Sequence, residues 1–400
     1  MNDAPLKRTF ARAKRIASIS MSEIVQISEA AARMKAEGKD ILSLATGEPD
    51  FPTPAHVCEA ATAAMAAGQT RYPPTAGTAA LRDAVARRAQ AGRANVIIST
   101  GAKQVLANLF LASLDAGDEV ICPTPYWTSY RDIVGLAGGK VVEIRCGGDQ
   151  GFKLTPEQLE AAITPRTRWL LLNSPSNPSG AMYSRDQLEA LGAVLRRHPQ
   201  VWLASDEIYQ HIAYAPFTSV LTALPDLRDR TVVINGVSKA YAMTGWRIGW
   251  AIGPEAAIEA MQDVQGQSTS GACSISQAAA LAALTGDQQL LNDRAAIFRE
   301  RRDLVVDAIN DDPRLACARP DGAFYVFASC DGALGRAAPD GRTLTDDGEF
   351  CRHVLETEGL ALVPGSAFSM PGHFRLSYAY SDAELADGLA RLRRATGRLS

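Results

Sequence analysis

Between about residue 95 and residue 255 the chain alternates two hydrophobic patterns. Short runs rich in apolar and β-branched residues, at Asn95–Thr100, Glu119–Cys122, Arg168–Asn173, Val201–Asp206, Thr231–Asn235 and Trp250–Ile252, predict strands. Lys103–Leu114 and Arg185–His198 carry apolar residues at helical spacing and predict crossover helices. This alternation builds an α/β fold with a mostly parallel central sheet, whose active sites gather at the carboxyl ends of the strands. Beyond residue 285 a charge-rich helical pattern over Asp293–Ile309 leads into strand-like pieces at Phe324–Ala328 and Phe374–Tyr378, so a smaller α+β domain is expected there. The expected division is an arm and part of the small domain in residues 1–45, a large domain in 46–290 and the small C-terminal domain in 291–400. The Gly-, Ala- and Asp-rich stretch Asp331–Asp347 reads as an exposed insertion.

Hydrophobic residues form 46% of the 400, enough for a sizeable core. Lys and Arg number 41 against 44 Asp and Glu, and a net charge of -3 offers no electrostatic footprint for nucleic acid or an anionic membrane. Small molecules are the expected partners. The cysteines (Cys58, Cys122, Cys146, Cys273, Cys317, Cys330 and Cys351) are odd in number, scattered and never spaced as CxxC. That argues against a disulfide framework and against a metal site, and fits a cytoplasmic protein. The basic N-terminal stretch through Ser20 lacks the apolar core of a secretory signal, and no apolar run approaches the ~20 residues of a membrane span.

The most informative stretch is Ser238-Lys239-Ala240-Tyr241-Ala242-Met243-Thr244-Gly245-Trp246-Arg247, directly after the strand Thr231–Asn235. An enzyme that uses pyridoxal phosphate needs a lysine amine to hold the cofactor as a Schiff base and to shuttle a proton, and Lys239 is placed for it. Arg247 is suited to grip a phosphate dianion. In Ser205-Asp206-Glu207-Ile208-Tyr209, Asp206 closes an apolar strand where a carboxylate could keep a pyridine nitrogen protonated, and Tyr209 could reach the ring's 3′-oxygen. Ser99-Thr100-Gly101-Ala102-Lys103-Gln104 runs from strand into helix, so free amides and the helix dipole make an anion site. Trp127 could stack on a pyridine ring. Asn177, in the turn cluster Asn173–Gly180, could face the 3′-oxygen or a substrate carboxylate, and Arg375, alone in the apolar run Phe374–Ser377, needs an anion. Each has a plainer reading: a helix cap for Asp206, core packing for Trp127, a loop for Asn177.

In this order the pieces closely resemble the class I/II (fold type I) pyridoxal-phosphate-dependent aminotransferases, in particular the bacterial branch containing aspartate and prephenate aminotransferases. The likeness extends from about Ser22 to Leu392 and includes Thr46-Gly47-Glu48-Pro49-Asp50-Phe51, Arg71-Tyr72-Pro73-Pro74-Thr75-Ala76-Gly77, Gly322-Ala323-Phe324-Tyr325 and Val363-Pro364-Gly365-Ser366. It implies Lys239 as the Schiff-base lysine, Asp206 on the ring nitrogen, Asn177 and Tyr209 on the 3′-oxygen, and Trp127 on the ring. It also implies Arg247, Ala102, Lys103 and Ser238 around the phosphate, and Arg375, Asn177, Trp127 and the Gly47 backbone about the substrate. Tyr72 is implied to reach the phosphate of a neighbouring subunit, and so a homodimer with shared sites. In the aspartate enzymes the residue matching Lys103 points past the phosphate toward a distal carboxylate.

Two departures bear on detail. Many relatives have a serine where this chain has Gly236. Relatives that take dicarboxylates often have a basic residue and a threonine at the positions matched by Ser20 and Ile24, so a less polar distal pocket is expected. The expected function is ping-pong transfer of an amino group from an L-amino acid (aspartate, glutamate or aromatic) to a 2-oxo acid such as 2-oxoglutarate. The alternative is a fold type I lyase, of the C–S β-lyase or cyclopropane-forming kind, using the same Lys239, Asp206 and Arg375. A pyridoxal-phosphate-binding transcription regulator would need a DNA-binding module before Gly47, where the arm leaves little room.

Overall fold

The computed structural model describes residues 10–16, 19 and 23–400. Ser20 and the side chain of Ile24, on which the distal-pocket comparison rests, lie outside the described residues. The strands, in chain order, are β1 (Leu42–Ser43), β2 (Val96–Ser99), β3 (Glu119–Thr124), β4 (Lys140–Arg145), β5 (Thr167–Asn173), β6 (Trp202–Asp206), β7 (Thr231–Gly236), β8 (Gly249–Ile252), β9 (Tyr325–Ser329), β10 (Leu360–Ala361), β11 (Val363–Pro364) and β12 (His373–Ser377).

The main sheet has the order β2-β8-β7-β6-β5-β3-β4. β8 is antiparallel to β2 and β7, and the remaining pairs are parallel. The expected α/β architecture is present. Alternate residues of the central strands feed two cores: Ile98, Leu170, Leu172, Leu203 and Val233 enter one, while Ile97, Leu171, Ala204, Val232 and Ile234 enter the other. Burial on both faces is why these strands read as continuous apolar runs. β4 was not expected. It is one of the two edge strands and, unlike β2 at the other edge, has no buried residue, so Lys140, Glu143 and Arg145 dilute its apolar signal.

The helices Ala102–Ser113 and Arg185–Arg197 occupy the two expected crossover segments, and the long helix Gln289–Asn310 covers the charge-rich one. The smaller sheet, β11-β12-β9, is antiparallel and pairs Arg375 with Phe327. β1 pairs in parallel with β10, which ties residues 42–43 to the C-terminal part of the chain. Arg301 on the long helix grips Asp50 with two nitrogens at 2.8 and 2.9 Å and Asp382 with a third at 2.9 Å, fixing the segment that begins at Gly47. Most of the stretch 331–347 is exposed, as expected, but Ala333, Ala338, Leu344 and Asp347 are buried. The Asp347 carboxylate accepts the amides of Ser366 at 2.7 Å and Gly372 at 3.2 Å, so a residue that looks solvent-seeking serves as an internal cap.

At the end of β6, Asp206 and Glu207 serve separate networks. Buried Glu207 accepts from Ser205 Oγ, Ser219 Oγ and the Val220 amide at 3.0–3.2 Å, anchoring the strand end to residues 219–220. Burial raises its pKa to about 7. Because the folded value lies above the unfolded one, this group's stabilising contribution is complete below pH ~4.5 and is lost as pH rises through 7. Comparing denaturant unfolding of wild type and Glu207→Gln at pH 5 and pH 8 should therefore show the wild type losing up to ~3 kcal/mol relative to the variant. A gap that does not change with pH would mean that Glu207 is not the buried acid described.

Candidate active site

The carboxyl ends of β5, β6 and β7 open onto a cavity of about 300 Å³. Gly47, Ala102, Lys103, Trp127, Asn177, Asp206, Tyr209, Ser238, Lys239, Arg247 and Arg375 all line it, so residues spread over more than three hundred positions converge as expected. Tyr72 does not line it. Its side chain is 94% exposed on the surface of this chain.

At one end the helix Ala102–Ser113 begins after Gly101 without a side-chain cap. Arg247 and Lys103 flank it, and among the described residues neither pairs with a carboxylate. The Arg247 guanidinium touches only the Thr244 carbonyl, at 2.9 Å, while the Lys103 ammonium lies 4.9 Å from the Trp127 ring centroid. Burial, then repulsion from Arg247, lowers the Lys103 pKa. Gly101 has φ +81°, and a Cβ there would meet the Arg247 guanidinium, so glycine is what lets the cation lie against the helix start. Arg247 itself takes a left-handed backbone, φ 56°. Two uncompensated cations at an uncapped helix N-terminus could hold a phosphate dianion.

Asp206 stands in the middle of the cavity. Its carboxylate accepts from Tyr130 Oη at 2.7 Å and from the Ile208 amide at 3.2 Å, yet complete burial dominates and raises its pKa to about 6. Lys239 is half-buried, its amine turned inward. Its Nζ donates to the Gly47 carbonyl at 2.7 Å, and burial, followed by the nearby Arg375 charge, lowers its pKa to about 8. Asn173 holds the Asp206 carbonyl at 2.9 Å with its amide nitrogen and takes the Asn177 backbone amide at 2.7 Å on its oxygen, so it aims the turn that carries Asn177.

At the other end Arg375 is 1% exposed. Its Nη1 donates to Asn177 Oδ1 at 2.8 Å and its Nη2 to the Ala45 carbonyl, but among the described residues its Nε has no partner and no carboxylate pairs with it. The Tyr325 and Phe368 rings lie 4.5 and 5.0 Å from the guanidinium carbon. A buried cation with an unpaired donor fits an arriving carboxylate.

Sequence reasoning passed over Tyr130, Asn173, Thr244 and Tyr325, which also line the cavity. Tyr130 follows Trp127 at helical spacing and reads as packing, and only the position of Asp206 reveals its role. At Gly236, a Cβ would come within 2.8 Å of the Ile248 carbonyl, so this chain has no room for the serine common at that position.

The family described as aminotransferase class I and II matches residues 39–392. An aspartate aminotransferase of Rhizobium meliloti (strain 1021) is 52% identical over 399 residues, covering 98% of this chain and 97% of its own. An aspartate/prephenate aminotransferase of Cereibacter sphaeroides is 46% identical over 385 residues, covering 94% and 96%. The crystal structure of the aspartate aminotransferase from Rhizobium meliloti superposes with a TM-score of 0.96 at 52% identity, covering 98% of this chain and all of that one.

The lowered basicity of Lys239 can be measured directly. In cofactor-free protein, reductive methylation of Lys239 followed by peptide mass spectrometry should rise with pH about a midpoint near 8, against ~10.4 for an ordinary lysine. A midpoint in the ordinary range would overturn the view that burial beside Arg375 tunes this amine.

Proposed function

The chain belongs to the class I and II aminotransferases, and we propose that its cavity exchanges the amino group of aspartate with 2-oxoglutarate in two half-reactions. It is a pyridoxal-phosphate-dependent enzyme that moves an amino group between an L-amino acid and a 2-oxo acid. The observation that carries the proposed assignment of residues is a half-buried lysine of lowered pKa that feels both Arg375 and Arg247, neither of which pairs with a carboxylate among the described residues. One cation suits a cofactor phosphate and the other a substrate carboxylate.

Pyridoxal phosphate, when bound, supplies an aldehyde carbon that takes the amino group and a ring that draws off the electron pair left at Cα. In this reading Arg247, Lys103, Ser238 and the amides at Ala102 and Lys103 hold its phosphate. Asp206, steadied by Tyr130 and the Ile208 amide, holds the proton on the ring nitrogen. Trp127 covers one face of the ring, and Tyr209 and Asn177 donate to the 3′-oxygen. Arg375, with Asn177 beside it, orients the substrate's α-carboxylate. Lys239 would hold the cofactor's aldehyde carbon and would move the proton at the substrate's Cα. The Gly47 carbonyl is its acceptor when the amine is free.

The domain division at residues 45 and 290 belongs to this proposal. The pairing of β1 with β10 supports grouping residues 1–45 with the C-terminal part. So does a homodimer: Tyr72 projects from its own chain instead of into its own cavity, as a residue serving a second subunit's phosphate would. Unpaired cysteines favour a cytoplasmic protein, and among the described residues no helix is long and apolar enough to cross a membrane. The lyase and regulator alternatives gain no support from the relatives.

The substrate assignment is tested with purified enzyme, which should form glutamate from aspartate and 2-oxoglutarate. Lys103→Met should lose ~10–100-fold in kcat/KM on aspartate and much less on phenylalanine, because a charge-assisted contact to a distal carboxylate contributes about 1.5–3 kcal/mol. Equal losses on the two substrates would restrict Lys103 to the cofactor. For the shared site, inactive Lys239→Ala and inactive Tyr72→Phe proteins, after proven subunit exchange, should recover part of the activity through heterodimers with one intact site. No recovery would count against Tyr72 crossing the interface.

A further inference from the structure

Tyr325 touches two of the groups on which the cavity depends. It lies on β9, opposite Ser377 and so beside Arg375 on β12, and is 1% exposed. Its ring lies 4.5 Å from the Arg375 guanidinium carbon, and its hydroxyl is 2.9 Å from the Tyr209 hydroxyl. A Cβ at residue 47 would fall on that hydroxyl, so Gly47 makes the space in which it sits. We propose that Tyr325 is a positioning residue that fixes the direction of the Tyr209 proton toward the cofactor while its ring holds Arg375 for the substrate carboxylate. This rests on the assignment of Tyr209 to the 3′-oxygen and of Arg375 to the α-carboxylate made above.

The direction follows from a count of protons. Burial raises the pKa of both phenols, so each keeps its single proton at neutral pH. One of the two protons lies in the contact between them and the other points away. Tyr325 has no other acceptor among the described residues. In the reading above the Tyr209 proton goes to the 3′-oxygen, so the proton in the contact is that of Tyr325, and Tyr325 donates to Tyr209. A hydroxyl that accepts one hydrogen bond is polarised into a stronger donor of the next. The ring acts separately: with Phe368 it gives Arg375 aromatic contacts in place of a carboxylate, so the guanidinium keeps its charge and leaves its Nε unpaired for the incoming ligand.

Two variants of the holoenzyme separate these effects. Tyr325→Phe keeps the ring and removes the donor. Electron density should then return to the 3′-oxygen, and the pH midpoint of the cofactor's visible absorption band should rise by roughly 0.3–1 unit, with KM for amino acids within about twofold of wild type. In a Tyr209→Phe background the same change should leave the midpoint in place. Tyr325→Leu removes the ring as well and should raise KM for every amino acid ~3- to 30-fold, checked on protein whose circular dichroism matches wild type. An unchanged midpoint in Tyr325→Phe, or an equal shift with and without Tyr209, would overturn the proton relay. Unchanged KM in folded Tyr325→Leu would overturn the support of Arg375. If the wild type itself showed no titrating visible band, the cofactor assignment would fall, which is a separate outcome.

Discussion

Three cations that the fold leaves without carboxylate partners set the terms for the rest of the cavity. Removing an unpaired charge from water costs several kcal/mol unless something else satisfies it. Arg375 is fully buried, whereas Lys103 and Arg247 are exposed at one helix start, and among the described residues none of the three pairs with a carboxylate. The protein manages this with carbonyls, an amide oxygen and aromatic faces. Those groups tolerate a cation without cancelling it. In the proposed reading the charges stay available to two anions of different kinds, and the amine of Lys239 loses basicity first to burial and then to the nearby Arg375 and Arg247.

The topology makes this arrangement possible. Parallel strands deliver Asn173, Asp206 and the segment after Gly236 to the same edge, so the acid, the turn carrying Asn177 and the lysine arrive from neighbouring strands. Their mutual positions are set by the sheet's hydrogen-bond ladder and are therefore rigid. Arg375 comes from the smaller sheet and Gly47 from the segment clamped to Arg301, so the substrate end is built by other parts of the chain than the cofactor end. The cavity joins a rigid floor to a separately supported wall.

This division also explains what could be read from the sequence. The doubly buried strands and the residues at their ends were legible, because burial on both faces writes an unbroken apolar run and a polar residue closing such a run stands out. Arg375 was legible for the same reason, as a charge inside apolar surroundings. Tyr130 and Tyr325 were not: an aromatic side chain in a core carries no mark showing whether its hydroxyl has work to do, and each finds its partner through contacts 76 and 116 positions away in the chain. Edge strand β4 lacked buried residues, and Asp347 looked like a surface residue because the two amides it caps lie in a later loop. Local pattern shows where burial happens, while tertiary pairing decides what a buried polar atom does.

The phosphate end shows two opposite answers to one steric problem. Gly101 gives up a side chain so that a guanidinium can approach the backbone, and its positive φ carries no strain. Arg247 also has a positive φ, in the left-handed helical region, while keeping a long side chain, a conformation that disfavours most residues by about 1–2 kcal/mol. Glycine or asparagine would take that backbone more readily, but neither could supply the cation. If Arg247 holds the cofactor phosphate as proposed, ease of folding and capture of the anion select different residues at position 247, and the arginine there reflects capture. The conformational cost stays within the apo protein, where an anion bridging Arg247 and the helix start can offset it.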